Sequence, residues 1–154
     1  MPKFGYSFQA EDPLLYVKAS GREVNVSPRH AREICQAIKG MSLAKARRLL
    51  EDVVEKKIAI SYRRYHLNIP HKSSAQGYAA GGYPVKAAQV FLRLLSNLEN
   101  NASFRGMNVG KVIVVYANAY KGITIKDFVP RAQGRSSPNF HVLVHIELIG
   151  KEVS

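Results

Sequence analysis

The stretch PRAQGRSSP at residues 130–138 decides the fold, because it separates two β-rich runs with residues that cannot build a core. Upstream, residues 112–116 (VIVVY) have the composition of a buried strand, and downstream residues 141–148 (HVLVHIEL) place an apolar side chain at every second position. Proline removes backbone donors, and Gly134 permits a positive φ angle. The sequence therefore predicts that the two runs pair and that the chain reverses at this apex.

The residues leading to the apex do not specify a packed layer. Between residues 121 and 129 neither face of the expected strand is consistently apolar, since lysine and aspartate are mixed with isoleucine, phenylalanine and valine. Arg131 and Arg135 add two permanent charges at the apex. An isolated two-stranded hairpin is only marginally stable in water, so a long one with a cationic tip predicts a polyanionic partner.

The overall charge supports the same partner. The chain has 23 Lys+Arg against 11 Asp+Glu, a formal net charge of +12, and this self-repulsion opposes folding unless a nucleic acid or an anionic membrane neutralises it. Its 154 residues, 46% of them hydrophobic, fit one compact core. The sequence has neither an apolar run long enough to span a bilayer nor a signal-peptide start, so we expect a cytosolic protein.

Three segments carry the apolar period of amphipathic helices. The first begins with Ser27 as the capping residue and Pro28 in the first turn, and Gly40 follows its end. A second helix follows Ser42 directly, so the two should form a corner. A third is expected from Pro84 to about residue 101, burying Val85, Ala88, Phe91, Leu92, Leu95 and Leu98.

The order of these elements sets the fold class. A bent or interrupted strand is expected at residues 15–26, and the main sheet comes after the helices. This order predicts an α+β fold, with three helices packed on a small antiparallel sheet. We expect a single RNA-binding domain over residues 1–154, from which a long β-hairpin protrudes at about residues 120–140.

Residues 56–82 interleave basic and aromatic side chains without a sustained period. This mixture suits RNA, because cations meet phosphates while tyrosine and arginine planes stack on unpaired bases. The alternative is a solvated loop with a few packed tyrosines. The pair Arg47 and Arg48 is open to the same two interpretations, and the absence of balancing acids beside it favours RNA contact.

The remaining motifs do not predict a catalytic, nucleotide-binding or metal site. Residues 77–82 are glycine-rich but lack the Lys-Ser/Thr pair of a phosphate-binding loop. His141 and His145 share a strand face, yet only Glu147 accompanies them, so surface histidines are favoured over a metal site. The lone Cys35 is expected in the core. We therefore predict no catalytic residues, no metal and no cofactor.

Several motifs together resemble a known family, the large-subunit ribosomal protein numbered twenty-two in bacteria and seventeen in eukaryotes. They are VSPRHAR at 26–32, IKGM at 38–41, NLENNA at 97–102, VPRAQGR at 129–135 and HIE at 145–147. These motifs cover most of the chain in the family's order. The stretches 61–82 and 136–139 are similar to the archaeal and eukaryotic branch.

The resemblance implies a non-enzymatic, cytoplasmic constituent of the large ribosomal subunit that binds ribosomal RNA (rRNA) and assists assembly. It also implies that the hairpin lines the nascent-peptide exit tunnel, with neighbouring ribosomal proteins and the nascent peptide as further partners and no membrane. The implied tunnel tip is Pro130, Arg131, Ala132, Gln133, Gly134, Arg135 and Ser136. The cations expected on rRNA are Arg29, Arg32, Arg47, Arg48, Arg63, Arg64, Lys72, Lys121, Lys126, Arg131 and Arg135.

Two residues depart from the family pattern. His30 replaces the usual lysine or arginine of the first helix, and Asp127 stands where bacterial members usually carry a base. Two alternatives remain open at this point: a free basic RNA-binding or RNA-processing protein, and a regulatory module that binds membranes. A metal-binding or acid–base cluster would favour the processing enzyme, and none is visible in the sequence.

Overall fold

The computed structural model describes residues 5–9, 12–64, 66–75 and 77–153, except for the side chain of Pro13. Its helices are α1 (Pro28–Ile38), α2 (Leu43–Val54) and α3 (Val85–Phe104). Its strands are β1 (Tyr16–Val24), β2 (Ile60–Ser61), β3 (Gly81–Gly82), β4 (Val112–Ile125), β5 (Phe128–Pro130), β6 (Ser136–Pro138) and β7 (His141–Glu152). The predicted α+β class, with three helices and antiparallel sheets, is confirmed.

The main sheet has the antiparallel order β1-β7-β4, so the two β-rich runs of the sequence do pair. Val144, Ile146 and Leu148 of β7 are fully buried under the helices, as their alternation predicts. The first strand, expected at residues 15–26 as bent or interrupted, is one strand from Tyr16 to Val24 whose register with β7 shifts between Gly21 and Val24. The apolar face of this sheet packs against the helices and forms one side of the core.

The predicted starts of α1 and α2 are correct, but their capping serines lack the expected side-chain hydrogen bonds. Ser27 and Ser42 occupy the N-cap positions, but neither side chain makes a capping hydrogen bond. Gly40 separates the helices with φ 84°, and its N–H donates to the Val114 carbonyl at 2.7 Å. The Val114 N–H in turn donates to the Met41 carbonyl at 2.9 Å, so the helix corner is fixed to β4 by main-chain bonds.

The third helix is longer than predicted and turns a slightly different face inward. It ends at Phe104, with Arg105 as the C-cap residue and Gly106 at φ 73° after it. The Asn101 side-chain amide donates to the Lys18 carbonyl of β1 at 3.0 Å, which ties the last turn to the sheet. Val85 and Leu92 are only partly buried, whereas Leu94 is in the core. The helix packs on both α2 and β1, so its buried face is set by two neighbours.

The other face of the sheet is covered by residues 5–9 near the chain start. The Phe8 ring lies 5.3 Å from the Tyr116 ring, centroid to centroid. The Ser7 hydroxyl donates to Glu147 Oε2 at 2.6 Å, and Arg22 Nη2 lies 3.2 Å from Glu147 Oε1. Glu147 is only 2% exposed, so this carboxylate is buried between the sheet and the residues that cover it.

Candidate nucleic-acid interface

A two-stranded arm extends the sheet beyond the helices. β4 and β7 pair from Val112 opposite Glu152 to Ile125 opposite His141, and β5 and β6 continue the ribbon from Phe128 opposite Pro138. From Lys121 to the tip the chain covers roughly 40 Å at about 3.3 Å per residue. None of the residues described between 121 and 141 is fully buried. Both faces of the arm are therefore at least partly exposed.

The tip is a tight five-residue turn. The Arg131 N–H donates to the Arg135 carbonyl at 2.8 Å, and Gln133 and Gly134 both have positive φ, 61° and 66°. Both arginine side chains are exposed. The positive φ expected at Gly134 is confirmed, and the two cations project from the end of the ribbon.

The prolines that bound the predicted apex do not prevent pairing. Pro130 lies opposite Ser136 and Pro138 opposite Phe128, so both belong to the β5–β6 ladder. In an antiparallel pair only alternate residues exchange main-chain hydrogen bonds, and an edge position tolerates a residue without an N–H. The nine-residue apex expected at 130–138 is therefore shortened to residues 131–135.

Asp127 has a local role at the base of this ribbon. Its carboxylate accepts a hydrogen bond from the Phe128 N–H at 2.8 Å, and its carbonyl accepts one from the Asn139 N–H at 2.7 Å. The neighbouring Lys126 is exposed, as is Lys121 where the arm leaves the body. The acidic departure from the family pattern thus shapes the arm, while both lysines stay accessible.

A second group of cations surrounds a buried carboxylate on α1. Glu33, 2% exposed, accepts hydrogen bonds from the main-chain N–H groups of Arg63 at 3.2 Å and Arg64 at 3.3 Å. Arg32 Nη1 donates to the same carboxylate at 2.7 Å. Arg29 Nη2 donates to the Leu67 carbonyl at 3.0 Å. These bonds bring Arg29, Arg32, Arg63 and Arg64 together, although they come from two separate stretches of sequence.

The arginines of α2 are arranged differently. Arg47 Nη2 donates to Glu99 Oε2 at 2.5 Å and to Ser96 Oγ at 3.1 Å, both on α3, whereas Arg48 is exposed. The inference that these arginines lack balancing acids is wrong for Arg47, because its carboxylate comes from a distant helix. Arg32 of α1 is also paired with an acid, because Glu33 follows it directly.

The four tyrosines between residues 62 and 83 include both packed and exposed side chains. Tyr62 is a core residue, and burial raises the pKa of its hydroxyl to about 12. Tyr78 is exposed and makes an edge contact with the His66 ring at 5.4 Å. Tyr83 is half-buried, with Lys72 Nζ 6.0 Å from its ring centroid. Tyr65, the fourth tyrosine, lies outside the described residues.

The two histidines of β7 differ in their surroundings. His145 Nδ1 accepts a hydrogen bond from the Glu23 N–H at 3.1 Å, and a Cβ at Gly122 would lie 2.8 Å from His145 Nε2. His141 is exposed. Across residues 5–9, 12–64, 66–75 and 77–153, no three histidine, cysteine or acidic side chains group as metal ligands would.

Sequence comparison identifies the family. The family model described as ribosomal protein L22p/L17e matches residues 19–151, most of the chain. The chain belongs to this family. The matched range includes the arm and every cation assigned above, so the two cationic regions of this L22p/L17e chain lie within the family's own extent.

Archaeal relatives match the L22p/L17e chain over nearly its whole length. The large ribosomal subunit protein uL22 of Cenarchaeum symbiosum (strain A) is 49% identical over 152 residues, 99% of each chain. That of Nitrosopumilus maritimus (strain SCM1) is 44% identical over 153 residues, 99% of this chain and 100% of its own. That of Archaeoglobus fulgidus is 42% identical over 151 residues, 98% and 97% respectively. The predicted archaeal branch is confirmed.

Helix α3 is the longest helix that the structure describes in this L22p/L17e chain. Neither it nor any other helix of the described residues combines the length and the apolar character that crossing a membrane requires.

Proposed function

We propose that this chain is a structural component of the large ribosomal subunit and binds the rRNA of that subunit at two separate places. The curated relatives are named as large ribosomal subunit proteins, which supports the assembly. The cation distribution supports rRNA as the partner: one basic group surrounds Glu33 on the body, and another stands at the tip of the arm. In this proposal residues 1–154 act as one RNA-binding unit, with residues 120–140 as its arm.

The exposed arm is the single observation that carries this proposal. A two-stranded ribbon gains too little from its own contacts to be stable alone, so a long one is stabilised by what surrounds it. Arginine at the tip makes bidentate contacts with phosphate, which lysine cannot reproduce. A site lined by RNA on several sides satisfies both requirements. By holding distant rRNA segments together, the body and the arm would assist assembly of the subunit.

We further propose that the tip lines the nascent-peptide exit tunnel. The narrow five-residue turn and the similarity of VPRAQGR at 129–135 to the family apex support this position. There Arg131, Gln133 and Arg135 would contact tunnel rRNA and the passing peptide. The body would lie at the outer surface of the subunit among neighbouring ribosomal proteins, in the cytoplasm, without a catalytic role.

Sedimentation tests the assembly directly. The tagged protein, expressed in an archaeal host, should migrate with large subunits and stay bound after a wash at high salt, because an arm enclosed by folded rRNA cannot leave without disassembly of the subunit. Recovery only at the top of the gradient, or with the small subunit, would contradict the proposal. The isolated protein should bind large-subunit rRNA with a steep salt dependence. For each neutralised phosphate, log K should fall by about 0.7 to 0.9 for every tenfold rise in salt concentration.

A further inference from the structure

We infer that Glu33 is a positioning residue that holds residues 61–64 and 66–67, the basic segment, in the shape in which they bind rRNA. This inference rests on the proposed function, because it names how one part of the RNA surface is built. Glu33 is an acidic residue in a chain of net charge +12, so it opposes RNA binding by charge alone. Its contribution must come from geometry.

The carboxylate of Glu33 accepts hydrogen bonds from the main chain of the basic segment. Its two oxygens each accept one backbone N–H, from Arg63 at 3.2 Å and from Arg64 at 3.3 Å. Because the bonds involve backbone groups, they fix the path of the chain and leave both arginine side chains exposed. A buried carboxylate is costly unless it is paired and hydrogen-bonded, and Arg32 supplies the pairing cation.

Other contacts hold the segment on both sides of this point. On one side, the Tyr62 N–H donates to the Ala80 carbonyl at 2.8 Å, and the Tyr62 ring is buried. On the other side, Arg29 of α1 donates to the Leu67 carbonyl. The segment is therefore ordered during folding, and RNA binding does not have to supply the entropy of ordering it.

Replacing Glu33 by glutamine separates positioning from charge, because the two effects have opposite signs. Glu33→Gln raises the net charge by one, which alone should strengthen RNA binding. It also replaces one carboxylate oxygen by an NH₂ group, which cannot accept a backbone N–H. Glu147→Gln is the matched control: Glu147 is also 2% exposed and paired with an arginine, but it lies on the outer face of the sheet.

Hydrogen exchange on the free protein tests the positioning without RNA. In Glu33→Gln the amides of Arg63 and Arg64 should exchange about tenfold faster than in the wild type, whereas Glu147→Gln should leave them unchanged. Unchanged exchange in Glu33→Gln would overturn the inference. Should that variant fail to fold, Glu33→Asp replaces it: the charge is kept, the carboxylate is one methylene shorter, and the same faster exchange is expected.

Binding to a transcript of the large-subunit rRNA tests the consequence. Glu33→Gln should bind several-fold more weakly than the wild type despite its extra positive charge, while Glu147→Gln should bind equally well or more tightly. Equal or tighter binding by Glu33→Gln would contradict the positioning role. If the wild type itself fails to bind, the proposed function is wrong, and the exchange result still decides whether Glu33 orders the segment.

Discussion

At the scale of single residues, two glycines show how backbone conformation limits substitution. Gly40 has φ 84° and Gly134 has φ 66°, and a Cβ built on either meets nothing within 4 Å. The cost of a side chain there is therefore conformational strain, about 1–2 kcal/mol for a left-handed non-glycine residue. The two positions differ in where that strain acts, since one lies in the helix corner and the other at the arm tip.

Alanine at each glycine should thus have different consequences. Gly40→Ala should lower the free energy of unfolding of the body by about 1–2 kcal/mol, because the corner is bonded to Val114 and cannot relax freely. Gly134→Ala should leave the main unfolding transition unchanged, because the tip can adjust locally. Urea denaturation followed by circular dichroism measures both, and equal destabilisation by the two variants would contradict this account.

His30 makes the stability of the body depend on pH. Burial, and secondarily the Arg29 guanidinium, lowers the pKa of His30 from its usual 6.5. The unfolded chain therefore takes up a proton at a higher pH than the folded chain, so this contribution to stability is complete above pH 6.5 and falls as the pH drops toward the folded pKa. The same burial disfavours a positive charge on the His30 side chain.

Neutralising this histidine should remove its part of the pH dependence. His30→Gln should lose less stability than the wild type when the pH is lowered from about 7.5 to about 5, since the variant has no imidazole to protonate. Thermal unfolding at a series of pH values measures the difference. Parallel curves for the two proteins would show that His30 does not titrate differently in the folded state.

At the scale of secondary-structure elements, local signals were sufficient to predict much of the fold. The helix starts at Pro28 and after Ser42, the glycine between them and the alternation in β7 depend on neighbours in sequence, and the structure confirms each. The end of α3 was predicted about three residues too early, although Gly106, with φ 73° directly after the C-cap residue Arg105, is a local stop signal. The bond from the Asn101 amide to β1 has no such signal in the sequence.

The candidate site was harder to predict for the same physical reason. Exposed arginines at the tip follow from composition and turn chemistry. The partners of Glu33 are backbone N–H groups some thirty positions later, and Arg47 is paired with Glu99 of another helix. Such contacts leave no periodic or spacing signal in a single sequence, so the buried acids among the cations were missed.

The arm should be dispensable for folding of the body. Lys121 and Val144 are paired, so replacing residues 122–143 by Asn-Gly gives a two-residue hairpin in register with the remaining strands. The core residues beneath the helices are kept, and a cooperative unfolding transition should therefore persist. Gradual, non-cooperative unfolding of this variant would show that the arm contributes to the core.

The lone cysteine reports on the same question. Cys35 is 2% exposed, and burial raises its thiol pKa to about 12, so the reactive thiolate is scarce in the folded body. Alkylation in the shortened variant should be as slow as in the full-length protein. Rapid labelling would indicate that the body opens without its arm.

At the scale of the whole molecule, exposed cations lie on the body, Arg63 and Arg64 among them, and at the tip of an arm that extends roughly 40 Å, at about 3.3 Å per residue. The body carries its arginines on a rigid frame of helices and buried acids. The arm carries Arg131 and Arg135 on a two-stranded ribbon in which no described residue is fully buried. This division fits the proposed function, in which the body folds by itself and the arm extends into rRNA.

The most direct test of this two-part arrangement is to map the rRNA around each region with a tethered hydroxyl-radical source. An iron chelate can be attached to Ser136→Cys at the tip or to Ser73→Cys on the body, both exposed positions, because native Cys35 is buried. In reconstituted large subunits, cleavage from the tip should fall on tunnel-wall rRNA and cleavage from the body on a separate region at the outer surface. Overlapping cleavage from both positions, or tip cleavage confined to the outer surface, would contradict the account.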